Sequence, residues 1–236
     1  MSTTPGRAFV SEDLQRNAVA VVDLEERSIS GFIPVGVKPH GLWASPDGRS
    51  LFVPNQLSGT LTKIDIVSGR VTAEAVVGRT PTMATVTPDG RSVFVTLFGE
   101  RAVAVVDAEK VETGRMQVND VIPVGERPAQ VAVTPDGRWV LVPCEGPGAL
   151  YVINRQTHAV EAIVPTGARA HGVDVSSDGL VAFVSNTGAN SVSVVDLQEF
   201  RVIREIPVGD SPAGIDFVLL ERTRSAVPGA GGRRTP

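Results

Sequence analysis

The stretch PHGLWASPDG at residues 39–48 returns three times in altered form further along the chain. The related stretches are PTMATVTPDG at 81–90, PAQVAVTPDG at 128–137 and AHGVDVSSDG at 170–179. A second phrase, PVG or a close variant, follows the same period, and its glycines are Gly36, Gly78, Gly125, Gly167 and Gly209. Their spacings are 42, 47, 42 and 42 residues, and a regular period of this length indicates a repeat architecture.

The longer second spacing comes from five extra residues within DAEKVETGRMQVNDVIPVG at 107–125. One repeat position, which we call a column, holds a turn residue in every copy and shows where the extra residues lie. The PVG glycine follows this turn residue after 13 residues in every repeat except this one. The column consists of Asp23, Asp65, Asp107, Asn154 and Asp196. Aspartate and asparagine at such positions bond the backbone N–H groups that follow, so the column predicts tight hairpins rather than a site.

Each repeat contains four short apolar runs separated by turn residues. In the first full repeat the runs are GLWAS, SLFVP, TLTKID and VTAEAV. Runs of this length with alternating polarity favour β-strands, and PDG between the first two favours a tight turn. Four antiparallel strands every 40–45 residues are typical of a propeller blade, so the sequence predicts an all-β fold, a β-propeller of four-stranded antiparallel blades.

The phrases GRSVFVT, VAVVDL, IPVG and PDGR resemble the repeat of the YVTN-type β-propellers, over about residues 6–217. The resemblance implies the same fold. It implies little about chemistry, because propellers of this family serve diverse functions and function resides in the site rather than in the fold.

Both chain ends carry parts of one blade. GRAFVSE at 6–12 matches RSLFVPN at 49–55, whereas the last repeat stops after GIDFV at 214–218. One inner strand from the end and three strands from the start would complete a fifth blade and leave no free sheet edge. The chain is then a five-bladed monomer with a propeller over 1–220 and a disordered tail over 221–236. Seven blades are usual in the family, so an open arc, pairing with a second chain and a piece of a longer protein remain alternatives.

Histidine occupies one repeat column only in the copies next to this shared blade. The column reads His40, Thr82, Ala129, His171 and Ala213, and the column at the end of the second strand reads Glu12, Asn55, Leu97, Cys144 and Asn186. A third column, one step inward, reads Trp43, Thr85, Ala132, Asp174 and Asp216. Closure of the ring would therefore bring His40, His171 and Glu12 to one sector of the channel mouth, with Asp174 and Asp216 beside them.

Two histidines and one carboxylate form a set that Zn²⁺ or Fe²⁺ accepts, so His40, His171 and Glu12 are the candidate metal ligands and a divalent metal is the candidate cofactor. A metal-free site would use His40 or His171 as a general base oriented by Asp174 or Glu12. In the structural alternative each histidine bonds the backbone of the neighbouring loop, and Asp174 and Asp216 cap backbone N–H groups.

The loops before the inner strands carry cations in one column, Lys38, Arg127 and Arg169. A positive rim around an acidic floor favours a ligand with an anionic end; charges that are merely solvated are the alternative. The candidate ligand-binding residues are Trp43, Asn55, Arg127, Arg169, Asn186 and Asp216.

Bulk properties narrow the function classes. The net charge of −4 disfavours nucleic-acid binding, and no apolar run is long enough to cross a membrane. The single cysteine and the absence of a signal-like start favour the cytoplasm, unless a leader is missing. No cysteine pair for haem attachment is present.

The sequence favours a propeller that binds a small anionic ligand or a protein segment at the channel mouth. The alternative is a metal-assisted lyase or hydrolase that uses His40, His171 and Glu12, because PHG at the start of an inner strand is similar to the streptogramin lyase propellers. A third alternative is an interaction scaffold without chemistry.

Overall fold

Alternating apolar runs form β-strands throughout the computed structural model, which describes residues 6–12 and 16–217. The predicted disordered tail over 221–236 lies outside the described residues. No helix in the described part of the chain could cross a membrane.

The strands form one three-stranded sheet, called the amino-terminal sheet, followed by four blades of four strands each. The amino-terminal sheet contains β1 (Arg7–Glu12), β2 (Ala18–Asp23) and β3 (Ser28–Pro34). Blade 1 contains β4 (Trp43–Ala44), β5 (Ser50–Asn55), β6 (Thr60–Asp65) and β7 (Arg70–Val76). Blade 2 contains β8 (Pro81–Val86), β9 (Ser92–Leu97), β10 (Ala102–Glu112) and β11 (Arg115–Pro123). Blade 3 contains β12 (Ala132–Val133), β13 (Trp139–Cys144), β14 (Ala149–Asn154) and β15 (Val160–Pro165). Blade 4 contains β16 (Ala170–Val175), β17 (Val181–Asn186), β18 (Ser191–Asp196) and β19 (Arg201–Pro207).

Neighbouring strands within each blade are antiparallel, which confirms the predicted propeller architecture of four-stranded blades. Apolar layers of mostly valine, alanine, leucine and isoleucine separate consecutive sheets. Phe52 of β5 points toward blade 2 and is 1% exposed, while Leu51 and Val53 point toward the amino-terminal sheet. The alternation along each strand therefore supplies both of its interfaces.

The five-residue insertion lengthens the β10–β11 hairpin of blade 2. Its tip reaches blade 1, where the N–H of Glu74 donates to the carbonyl of Gly114 at 3.0 Å and Arg115 pairs with Glu74 in parallel. Blades 1 and 2 thereby share one eight-stranded sheet. The extra residues join two blades of the same chain.

The PVG glycines permit a close contact between the loop before each blade and the end of that blade's second strand. A Cβ on Gly36 would lie 2.7 Å from Cγ of Asn55, and one on Gly167 would lie 2.6 Å from Cγ of Asn186. Such distances leave no room for a side chain. The glycine column is therefore a packing requirement of the blade interface.

The predicted ring closure is not confirmed. Residues 212–217 lie along blade 4, where the Ser185 hydroxyl donates to the carbonyl of Ala213 at 2.6 Å and the rings of Phe183 and Phe217 stack at 5.6 Å. They form no strand, and the amino-terminal sheet keeps three strands. In the predicted ring, Glu12 would contact Gly209 as Asn55 contacts Gly36. No described atom lies within 4 Å of a Cβ built on Gly209.

The outward faces of the two terminal sheets are partly exposed. Val10 and Phe32 lie on the side of the amino-terminal sheet that is directed away from blade 1, and they are 51% and 40% exposed. Phe183 lies on the side of blade 4 that is directed away from blade 3 and is half-exposed, whereas its repeat equivalents Phe52 and Phe94 are 1% and 0% exposed. This side of blade 4 is therefore less covered than the equivalent side of blade 1 or blade 2.

We expect Gly167→Ala to lower the free energy of unfolding by about 1–3 kcal/mol, because the new methyl group overlaps Asn186 in a packed interface. Gly209→Ala occupies the same repeat column in open space and should change it by less than about 0.5 kcal/mol. Urea unfolding of both variants measures the difference. Equal losses would show that glycine is needed for backbone freedom rather than for close packing.

Candidate functional site

The two histidines of the repeat column have different surroundings. His40 is exposed, and its Nδ1 lies 3.2 Å from the carbonyl oxygen of Thr82 in the next blade. This contact with a neighbouring backbone is the one expected from the structural alternative. His171 is half-buried, and its Nε2 lies 3.8 Å from Oε1 of Glu145.

Glu145 is the centre of a charged group that we call the Glu145 cluster: Glu145, Arg127, Arg169 and His171. The side chain of Glu145 is 5% exposed. Its Oε2 lies 2.7 Å from a terminal nitrogen of Arg127 and 4.0 Å from Nε of Arg169. Since a buried carboxylate without partners is costly, the two guanidinium groups stabilise it.

Local backbone contacts bring these residues together. Glu145 directly follows β13, and its N–H donates to the carbonyl of Arg127 at 3.1 Å, which ties the turn after the second strand to the loop before the inner strand. Arg127 and Arg169 each adopt a left-handed φ of 57° in their loops. The guanidinium carbon of Arg127 also lies 5.2 Å from the ring centroid of Phe98, a favourable cation–π arrangement.

The Glu145 cluster carries an excess of positive charge at a solvent-accessible surface. The side chains of Arg127 and Arg169 are 51% and 55% exposed, whereas the single carboxylate is buried beneath them. Both guanidinium groups are thus accessible to solvent, with Arg127 in close contact with Glu145 at 2.7 Å and Arg169 at the outer limit of an ion pair, 4.0 Å. Such an arrangement suits an anion that accepts charge-assisted hydrogen bonds.

The predicted carboxylates of the third column lie at the channel. A cavity of about 360 Å³ is lined by Trp43, Thr85, Gln130, Asp174 and Asp216, among others. Asp174 accepts hydrogen bonds from the N–H groups of Val175, at 2.8 Å, and Phe217. It therefore acts as a backbone cap, as the structural alternative expected. Burial raises the pKa of Asp174, and the nearby Asp216 carboxyl raises it further.

Asn55 and Asn186 have no exposed surface to offer a ligand, because each is 0% exposed. Nδ2 of Asn55 donates to the hydroxyls of Thr60 and Thr62 at 3.0 and 2.8 Å. Nδ2 of Asn186 makes the matching bonds to Ser191 and Ser193 at 3.1 and 2.8 Å. The two asparagines hold their blades together, and the binding role predicted for them receives no support.

The predicted metal ligands are not gathered into a metal site. Glu12 ends β1, where it pairs with Ala18, and His40 and His171 have the separate contacts given above. Within residues 6–12 and 16–217, no group of three His, Cys, Asp or Glu side chains is placed to hold a metal ion.

Sequence reasoning missed Glu145, the residue around which the cluster forms. Its repeat equivalents are Asp13, Gln56, Phe98 and Thr187, so it is the one carboxylate at this position in the four complete blades. The signal was available, because a charge directly after the buried run WVLVPC is unusual. The partners of Glu145 come from loops before two different blades, and that meeting depends on the tertiary structure.

We expect Arg127→Ala to lower the free energy of unfolding by about 1–3 kcal/mol, because it removes the close partner of a buried carboxylate. In a Glu145→Gln background the same change should cost less, since no buried charge is then left uncompensated. Urea unfolding of the four proteins of this double-mutant cycle measures the coupling. A coupling of zero would contradict the stabilising role of the pair.

Asp216→Asn should lower the pKa of Asp174 but leave it above its ordinary value of 3.8, because burial is the larger cause of the shift. A raised carboxyl pKa means that the folded chain holds the proton more tightly than the unfolded chain. Stability therefore falls as the pH rises from 3.8 through the raised pKa, and the variant should reduce this loss. The amide shift of Phe217 followed by NMR reports the titration; an unchanged midpoint would contradict the coupling.

Comparison with known proteins agrees with the fold. The chain covers 73% of a functionally unknown protein from Desulfotomaculum acetoxidans, with 92% of its own length aligned, a TM-score of 0.73 and 15% identity. It covers 87% of a chain of Kuenenia stuttgartiensis hydrazine synthase, with 91% of its own length aligned, a TM-score of 0.54 and 20% identity. At these identities the likeness shows the fold alone. No curated protein matches the chain.

A family model matches residues 65–222, which is more than half of the chain. Its description agrees with the YVTN-type propeller inferred from the repeats. The chain belongs to the YNCE-like beta-propeller family.

Proposed function

We propose that the chain is a binding protein that recognises the anionic end of a small molecule or of a protein segment at the Glu145 cluster. The observation that carries the proposal is the pair of half-exposed guanidinium groups, Arg127 and Arg169, held above one buried carboxylate. The surface they present is positive although the whole chain has a net charge of −4.

The buried carboxylate of Glu145 orients Arg127, its close partner at 2.7 Å, before any ligand arrives. A guanidinium group that is already oriented loses less side-chain entropy when it binds, which favours affinity. Arg127 is further oriented by its contact with the ring of Phe98. His171 adds a third polar group on the same carboxylate, at 3.8 Å.

The geometry supports recognition of a carboxylate in particular. A planar guanidinium group can donate two parallel N–H bonds to a carboxylate, and the two arginines together could bind both of its oxygens. Recognition of this kind does not require a metal ion. It uses Arg127 and Arg169 in the binding role predicted for them and gives His171 a supporting role.

The test is calorimetric titration of the full chain with N-acetyl-alanyl-alanine, which has a free carboxylate, and with its carboxamide. We expect saturable binding of the carboxylate and none of the amide. Arg169→Ala should weaken the binding about tenfold, because it removes one charge-assisted partner.

Arg79→Ala is the matched control. Arg79 lies in the corresponding loop before blade 2, is 78% exposed and pairs with Glu100 at 3.3 Å, so its removal leaves the Glu145 cluster intact. Equal weakening by both variants would indicate a general charge effect and overturn the assignment. Absence of carboxylate binding to the unaltered chain would favour a scaffold.

A further inference from the structure

A second positive site lies on the opposite face of the propeller, between blades 2 and 3. We call it the arginine cleft, defined by Asp89 and Arg91 of blade 2 and Arg138, Asn154 and Arg155 of blade 3. Its volume is about 750 Å³, which is within the range of small-molecule sites. Three guanidinium groups and one carboxylate among its lining residues leave an excess of two positive charges.

Arg155 breaks a column of the repeat. In every complete blade the residue after the hairpin aspartate or asparagine bonds through its N–H to the residue after PDG or SDG. In the other three blades this residue is apolar and buried: Ile66 is 1% exposed, Ala108 3% and Leu197 4%. Blade 3 places a guanidinium group where its neighbours place an apolar side chain, and packing alone gives no reason for the change.

Asn154 also differs from the residues at its position in the other repeats, and this difference again makes the cleft more positive. The other repeats have Asp23, Asp65, Asp107 and Asp196 at this position. Oδ1 of Asn154 still accepts the N–H groups of Gln156 and Thr157, at 3.0 and 3.2 Å, so the turn is kept while the negative charge is lost. Asn154 and Arg155 therefore each make the charge of this cleft more positive by one unit than the residue types of the other blades would.

The cleft between blades 1 and 2 provides an internal comparison on the same face. Its charged lining residues are Asp47, Asp89, Glu109 and Lys63, which give an excess of two negative charges. Five of the eight residues that line the arginine cleft occupy repeat positions that also line this cleft, and Asp89 lines both. The difference in charge comes from Arg155, which stands at the position of Ala108, and from Arg91 and Arg138, whose equivalents do not line the cleft between blades 1 and 2.

The guanidinium groups of the arginine cleft remain able to bind a ligand. Arg155 is oriented by one bond, from Nη1 to Oδ2 of Asp89 at 2.7 Å, and its side chain is 32% exposed. Arg91 and Arg138 are exposed and form no ion pair with a described residue. Arg138 lies over the ring of Trp139 at 4.5 Å, which limits its orientations.

We propose that the arginine cleft binds a phosphate group, either free or as a monoester. A dianionic group matches the excess of two positive charges, and arginine donates pairs of hydrogen bonds to phosphate oxygens. This site is independent of the Glu145 cluster, since the two share no residue and lie on opposite faces.

The experiment is a calorimetric titration of the full chain with inorganic phosphate and with glycerol 3-phosphate, at constant ionic strength maintained with sodium chloride. We expect saturable binding, accompanied by NMR shifts of the amides of Gly137 and Gln156. Tighter binding of the ester by about tenfold or more would assign a monoester as the ligand, and equal binding would assign free phosphate.

Two variants restore the residue types of the other blades, which favours their folding. Asn154→Asp should weaken phosphate binding about fivefold, because it adds a negative charge to the wall of the cleft. Arg155→Leu should weaken it about tenfold or more, because it removes an oriented donor. If Arg155→Leu does not fold, Asn154→Asp decides.

Arg49→Leu is the matched control, because Arg49 occupies the column of Arg91 and Arg138 but does not line the arginine cleft. It should leave the dissociation constant for phosphate within about twofold of the unaltered chain. No saturable phosphate binding to the unaltered chain, or unchanged binding in Asn154→Asp, would overturn the proposal. Arg169→Ala should have no effect here, so failure of this site and failure of the Glu145 cluster are distinguishable.

Discussion

Face-to-face packing of successive sheets is the constraint on which this structure depends. Each sheet is apolar on both sides and buries neither alone, so every blade requires a neighbour on each face. The layers are thin because valine and alanine dominate them, and Gly36 and Gly167 lie too close to asparagine side chains to carry a side chain of their own. The same requirement accounts for the exposed apolar residues of the terminal sheets, whose outer faces are only partly covered by residues 6–12 and 16–217.

The ends of the strands are less bound by this constraint, and both candidate sites lie there. Positions inside the strands are nearly uniform, whereas Glu145 is the one carboxylate at its position in the four complete blades and Arg155 replaces an apolar residue. Both residues belong to blade 3, and they lie on opposite faces of the propeller. A single blade can thus carry two candidate anion sites while its sheet packs like the others, because Glu145 and Arg155 directly follow the ends of β13 and β14.

Individual residues show how far sequence reasoning reached. The aspartate column and the PDG turns predicted hairpins correctly, because such turns depend on contacts within a few residues: Ser68 N–H, for example, donates to Oδ1 of Asp65 at 2.7 Å. Asp174 was assigned either a catalytic or a capping role, and its bonds to Val175 and Phe217 are those of a cap. Asn55 was placed among the ligand-binding residues, although its amide is used within its own blade. A repeat column shows that a position is special but not whether its side chain points into the sheet or out of it.

The sequence by itself determined the repeat, the four strands of each blade, the turns between them and the order of the blades, since all of these follow from periodicity and local contacts. Tertiary structure decided which residues of different repeats meet. Arg127 and Arg169 are one repeat apart and share Glu145, whereas His40 bonds a backbone carbonyl and residues 212–217 form no strand beside the described strands of the amino-terminal sheet. The physical reason is that a repeat position determines where a residue lies within its own blade. The distances between residues of different blades depend on how each pair of sheets packs.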